Sequence, residues 1–272
     1  MKKVAIILII IILSAGIAIL FLNKKSNKLP RLEPLAPQEA PVSDLLAKAK
    51  ELQEKGKLQE LRDVYQKVIS IYPNSHEIAN WQKKLEELNI RILFSPIITP
   101  KNVSYEIKKG DTLTRIAKEF KTTVELIKKS NNIASDTIYP GRKIKVWVAP
   151  FSILVDKSQN TLVLKSENEI VKSYIVATGV NNSTPIGNYR IVNKIPNPTW
   201  YKAGAVVPPG SPDNVLGSFW MGFDLAGYGI HGTVDPQSLG TQITQGCVRM
   251  SNKDVEELYI IVGTGTQVTI VD

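Results

Sequence analysis

The chain has 272 residues, a formal net charge of +9, one cysteine and two histidines. A single cysteine excludes an internal disulfide framework and leaves a free thiol, which in an exported protein is a candidate reactive group. The charge is local: residues 1–31 carry six basic and no acidic side chains, residues 104–148 ten against five, and residues 151–272 eight against ten. With no basic stripe interleaved with stacking aromatics, the pattern speaks against nucleic-acid binding.

Lys2 and Lys3 precede nineteen uncharged residues, Val4 to Leu22, which end at Asn23-Lys24-Lys25. A helix of that length roughly matches a ~30 Å hydrocarbon core. The small residues Ser14, Ala15, Gly16 and Ala18 lie inside the run, so an uncleaved transmembrane anchor over 1–28 is favoured over a cleaved signal peptide. Residues 29–42, with Pro30, Pro34, Pro37 and Pro41, read as an extended linker.

Residues 43–95 read as an α-helical hairpin segment. Leu45, Leu46, Ala49 and Leu52 form one stripe, and Gly56 stops it. Leu58, Leu61, Tyr65, Val68, Ile69 and Tyr72 form a second, which Pro73-Asn74 ends. Ile78, Trp81, Leu85 and Leu88 form a third, with Ser75 as its expected N-cap. The segment resembles one and a half tetratricopeptide repeats. A single such unit cannot bury its own face, so a spacer or self-association element is preferred to a partner-binding groove. His76 reads as an exposed bystander.

Residues 104–148 predict strand, helix, helix, strand, an α+β module. Tyr105-Glu106-Ile107 alternates. Asp111 is the expected cap of a helix buried through Leu113, Ile116, Ala117 and Phe120. Thr122-x-x-Glu125 is a capping box for a second helix carrying Val124 and Ile127. Asn131-Asn132 stops it, and Pro140-Gly141 turns into Lys143–Val146. The run Tyr-x-Ile-Lys-Lys-Gly-Asp-Thr-Leu-x-x-Ile-Ala, followed by Asn132-Ile133 and Ile138-Tyr-Pro-Gly-x-x-Ile, resembles a LysM domain. The resemblance implies binding to the glycan of peptidoglycan through Gly110, Asp111, Thr112, Asn132 and Ile133.

Residues 151–272 read as mainly β, with strands over Ile153–Val155, Thr161–Leu164, Val171–Val176, Tyr189–Val192, Gly217–Gly222 and Gln267–Val271. One short helix runs from Asp254 to Val262, capped by Ser251 or Asn252. A thiol with pKa ~8.5 needs a base or a lowered pKa to act. His231, sixteen positions before Cys247, can take that proton and later return it to a leaving amine. Gly246 lets the backbone approach a substrate, and the amides of Gly246 and Cys247 are the expected oxyanion donors. Asp224 and Asp235 are candidates for orienting His231, although both read better as loop residues.

Ser183-Thr184-Pro185-Ile186-Gly187-x-Tyr189, Asn197-Pro198-Thr199-Trp200, Pro208-Pro209-Gly210, Gly229-Ile230-His231-Gly232-Thr233, Ser238-Leu239-Gly240 and Gly246-Cys247-Val248-Arg249-Met250 together resemble the L,D-transpeptidase (YkuD-type) catalytic domain. The second histidine that many members carry is Gln245 here. The resemblance implies a Cys247 nucleophile, a His231 acid–base, and the Gly232 backbone carbonyl as the group orienting His231. Arg249 pairs with a substrate carboxylate or braces the cysteine loop. Tyr201, Tyr228 and Ser238 are expected along the substrate groove; Trp220 is a further candidate there but reads better as core.

The implied chemistry is acyl transfer on peptidoglycan stem peptides, through a thioester and loss of D-alanine, to an amine of a stem or of a protein. An L,D-carboxypeptidase using water and an inactive wall-binding protein are the alternatives. No cofactor and no metal are called for. The implied partners are peptidoglycan and, through the anchor, the inner membrane, with the folded part outside it. A protein partner for the helical segment stays open.

Overall fold

The computed structural model describes residues 41–202 and 204–272. The expected anchor and nearly all of the proline-rich linker lie outside the described residues, among which no helix is long and apolar enough to cross a membrane.

Three helices open the described chain: α1 (Val42–Glu54), α2 (Leu58–Ile71) and α3 (Ile78–Leu93). Their stripes close on one another through Leu45, Ala49, Leu52, Leu61, Tyr65, Val68, Trp81 and Leu88. The left-handed Gly56 (φ 66°) makes the turn after α1. Ser75 does not cap α3. A turn from Ser75 O to Ile78 N intervenes, the cap falls on Glu77, and Ser75 Oγ accepts from the Glu77 amide at 3.2 Å.

The segment is docked, not a free spacer. The last turns of α3 contribute Ile90 and Leu93 to the core of the C-terminal domain. This is how a repeat fragment too short to bury its own face buries the remainder.

The second module pairs β1 (Asn102–Glu106) antiparallel with β2 (Lys143–Trp147), around α4 (Leu113–Glu119) and α5 (Val124–Ser130). Its core is Ile107, Leu113, Ile116, Ala117, Ile127, Ile133, Ile144 and Val146. Both expected caps move by one residue. The Asp111 carboxylate accepts from the Lys108 amide (2.8 Å) and Tyr105 hydroxyl (2.7 Å), so it locks the turn, and Thr112 Oγ1 caps α4 through the Arg115 amide. Thr123, not Thr122, caps α5 through the Leu126 amide (2.9 Å), and its hydroxyl also donates to Ile260 O.

The C-terminal domain is built on one curled sheet. Its strands are β3 (Phe151–Asp156), β4 (Thr161–Ser166), β5 (Glu169–Ile175), β7 (Gly187–Pro196), β10 (Phe219–Phe223), β11 (Gly229–His231), β13 (Val248–Arg249) and β14 (Gln267–Val271), in the order β13-β11-β10-β7-β14-β3-β4-β5. Two small ribbons flank it. One pairs β6 (Thr178–Gly179) with β12 (Gln242–Thr244), and the other pairs β8 (Trp200–Lys202) with β9 (Ala205–Val207). The helix α6 (Asn252–Ile261) is capped by Ser251 and buries Val255, Leu258 and Ile261 against the sheet.

An uncovered edge strand is a template for unwanted pairing, and β5 is the outer strand on one side. Here α3 covers it. Asn89 Nδ2 donates to Ile170 O (3.3 Å) and Val171 O (3.1 Å), while Arg62 (3.0 Å) and Lys101 (2.8 Å) converge on the Glu169 carboxylate.

The second module is fastened by Lys145. Its side chain is buried, and its ammonium donates to Ile92 O (2.7 Å), Leu93 O (3.1 Å) and Ser95 O (2.8 Å). These carbonyls sit at the C-terminus of α3, where the helix dipole favours a cation. Burial pushes the Lys145 pKa down to about 8, still above neutrality. Lys145→Ala strands these carbonyls, so chemical denaturation is expected to show a loss of about 3 kcal/mol.

Candidate active site

The arrangement of the site follows from one strand pairing. β11 and β13 run parallel, with Ile230 opposite Val248 and His231 opposite Arg249, while β10 pairs on the other side of β11 with Trp220 opposite His231. Trp220, His231 and Arg249 therefore stand side by side across three strands. Cys247 immediately precedes β13, so the short segment Gly229–His231 and the cysteine loop meet at one end of the sheet. All four line a cleft of ≈ 660 Å³, with Trp200, Tyr201, Tyr228, Ile243 and Gln245 around it.

His231 is buried, and its Nδ1 lies 2.7 Å from Gly232 O. A carbonyl only accepts, so Nδ1 carries the proton and Nε2 is left with its lone pair. Neither alternative carboxylate takes this place: Nδ1 is paired with Gly232 O, Asp224 Oδ1 accepts from the Arg190 amide (3.0 Å), and the Asp235 charge acts on Arg249. The Trp220 ring lies against the imidazole at 6.1 Å between centroids and 19° between planes, and its indole N–H donates to Asn193 Oδ1 (3.0 Å). Reading Trp220 as core was therefore wrong, because its ring forms a wall of the cleft. Being apolar and strand-borne, it fits core and groove alike in the sequence, where core is the preferred reading.

Cys247 Sγ contacts Gly227 O at 3.5 Å. Burial raises its thiol pKa, offset in part by Gly229 and by the charge of Arg249. Burial drives His231 down to about 4, opposed by the Gly232 hydrogen bond and assisted by Arg249. Both shifts favour a neutral imidazole and a thiol over an imidazolium and a thiolate. Such a pair is suited to proton transfer concerted with attack.

The cysteine loop has little freedom. Thr244 Oγ1 donates to Cys247 O (2.7 Å) and accepts from the Gly246 amide (3.2 Å). Gly246 has φ 126°, and a Cβ there would meet Tyr228 Cε1 at 2.7 Å, so both its dihedral and its contact with Tyr228 require glycine. Its amide is committed to the loop in this state and would have to change partner to serve an oxyanion. Thr244, which the sequence did not single out, is what holds the loop.

Arg249 Nη1 donates to Ser238 Oγ (3.0 Å), and that hydroxyl donates to Asp235 O (2.6 Å). Ser238 is buried behind Arg249 and is not among the residues lining the cleft. Expected along the groove, it instead braces the arginine from behind, at the end of the short 3₁₀ turn Pro236–Ser238. Tyr201 stands 75% exposed on the rim. Gln245 is exposed at the rim too.

The five residues expected to meet glycan divide. Gly110 (φ 87°), Thr112 and Asn132 (φ 52°) are exposed on loops. Asp111 is tied into its turn. Ile133 is mostly buried in the module's core. Asn132 and Ile133 also border a second cleft of ≈ 680 Å³, shared with Phe94 and Ile260. His76 is exposed beside Glu77. Among the described residues no cluster of His, Cys, Asp and Glu could hold a metal ion.

Comparison with known proteins gives two family matches: the L,D-transpeptidase catalytic domain over residues 150–270 and the LysM domain over residues 105–147. The Bacillus subtilis (strain 168) protein named as an L,D-transpeptidase, YkuD, is 34% identical over 175 residues, covering 62% of this chain and 98% of its own length. The B. subtilis protein named as an L,D-transpeptidase, YqjB, is 39% identical over 126 residues, covering 44% of this chain and 70% of its own length.

Proposed function

Since the chain belongs to the L,D-transpeptidase family, whose reaction is acyl transfer on peptidoglycan, we propose that Cys247 is the nucleophile, with His231 as its single acid–base. The observation that carries this reading is the 2.7 Å pairing of His231 Nδ1 with Gly232 O, which reserves Nε2 for proton transfer in the cleft that Cys247 lines.

Sγ attacks the carbonyl carbon of the bond between the third stem residue and a terminal D-alanine, and Nε2 takes the thiol proton. The oxyanion is met by the Cys247 amide, joined by the Gly246 amide once it leaves Thr244. The carbon–nitrogen bond breaks, the imidazolium returns its proton to the departing D-alanine, and a thioester remains. An amine of a neighbouring stem then gives its proton to His231 and displaces the sulfur, which forms a 3→3 cross-link and restores the thiol. Arg249, anchored by Ser238 and open to the cleft, faces the substrate carboxylate, and Tyr201 and Tyr228 flank the peptide. The relay from His231 to Gly232 makes no use of Gln245, so the missing second histidine does not disable it.

The LysM module holds the glycan of the same polymer through the exposed Gly110, Thr112 and Asn132 loops. The segment 1–28 anchors the chain in the inner membrane, with the folded part on the wall side. Incubating the protein with tetrapeptide-stem fragments is expected to release D-alanine and form a cross-linked dimer, with an acyl adduct on Cys247 in the intact mass. Release of D-alanine without a dimer assigns water as the acceptor. No release and no adduct overturns the enzymatic reading.

A further inference from the structure

Asn252 opens α6, five positions after Cys247. Ser251 takes the helix cap, and the Asn252 side chain turns back towards the site. Its Oδ1 accepts from the Thr233 amide (3.1 Å), the Ser218 amide (3.1 Å) and the Ser218 hydroxyl (3.3 Å). The backbone has made room for it. A Cβ on Gly217 would sit 2.3 Å from this oxygen, and one on Gly232 2.2 Å from it.

The Thr233 N–H and the Gly232 C=O belong to one planar peptide unit. One end donates to Asn252, and the other accepts from His231 Nδ1. Hydrogen bonds at the two ends of a peptide polarise and orient each other. Helix packing alone does not call for one oxygen to gather three donors from two loops.

We propose that Asn252 is a positioning residue. It fixes the peptide between residues 232 and 233 so that Gly232 O holds His231 as the Nδ1–H tautomer. It does this without touching the substrate. The kinetic consequence rests on the reading of His231 as the acid–base, whereas the tautomer does not depend on that reading.

The test is nitrogen-15 NMR on the full chain labelled at histidine. With only His76 and His231 present, one exposed and one buried, the two sets of ring resonances separate. The wild type is expected to show His231 protonated at Nδ1, with slow proton exchange. Asn252→Ala, or the milder Asn252→Ser should alanine not fold, is expected to speed that exchange at least tenfold and mix the tautomers. It is also expected to lower kcat about tenfold with KM within twofold. Asn252→Asp keeps the acceptor oxygen and is expected to restore the tautomer signature and most of kcat. A folded Ala or Ser variant with an unchanged His231 spectrum overturns the proposal alone. So does a folded Asp variant whose His231 spectrum is as mixed as that of alanine. A mixed tautomer with undiminished kcat overturns its kinetic part, together with the assignment of His231 as the base.

Discussion

Cys247→Ala is expected to abolish D-alanine release, lowering turnover by at least about 10⁴-fold, because removing a covalent nucleophile removes the pathway rather than one stabilising contact. No second sulfur nucleophile is available, since the chain has no other cysteine. The fold is expected to survive. The contact of Sγ with Gly227 O is long, at 3.5 Å, and the loop is held by Thr244 instead. A stability change of under about 1 kcal/mol is therefore expected from denaturant titration. Undiminished release of D-alanine by this variant would remove Cys247 from the mechanism.

His231→Gln is expected to cost about 10³-fold in kcat/KM, within the range for loss of a general acid–base. It is also expected to change how stability responds to acid. Folded His231 titrates at about 4, below its ordinary 6.5. Between these two pH values the unfolded chain binds a proton that the folded chain refuses. Wild-type stability should therefore fall as pH drops from about 6.5 to about 4, by roughly 3 kcal/mol in all, and this contribution is fully retained only above that window. The glutamine variant lacks the titration, so its loss over the same window should be smaller by that amount. In the wild type the acid limb of kcat/KM is expected near pH 4, not near the pKa of a free imidazole. A limb near 6.5 would mean that the imidazole is solvated in the working enzyme.

Much of this was legible in the sequence, for reasons that differ by level. Strands such as Gln267–Val271 and stripes such as Leu61, Tyr65 and Val68 announce themselves through periodicity, because burial of one face imposes it. The spacing of His231 and Cys247 marked the site because the two residue types are so rare in this chain. The caps slipped by one where two capable side chains adjoin, at Asp111-Thr112 and Thr122-Thr123. Which of the two caps the helix depends on what else competes for the side chain, here Tyr105 and Lys108 for Asp111. The docking of the modules left no trace. Lys145 meets carbonyls some 50 positions away, and Arg62 meets a glutamate 107 positions away. Single polar contacts of that range have no period. Asn252 was hidden for a related reason: an asparagine at a helix start reads as a cap, and only the backward turn of its side chain reveals a different task.

The short connection between β2, which ends at Trp147, and β3, which begins at Phe151, together with the Lys145 plug, has a consequence for work on a polymer. A grip joined to a tool by a slack tether lets the tool roam. Here there is no slack. If the LysM surface holds a sugar strand, the cleft can reach only those stems that lie at one fixed offset from it. The protein would then gauge the local mesh of the wall, cutting and joining where the spacing fits and passing over peptides that are nearer or farther.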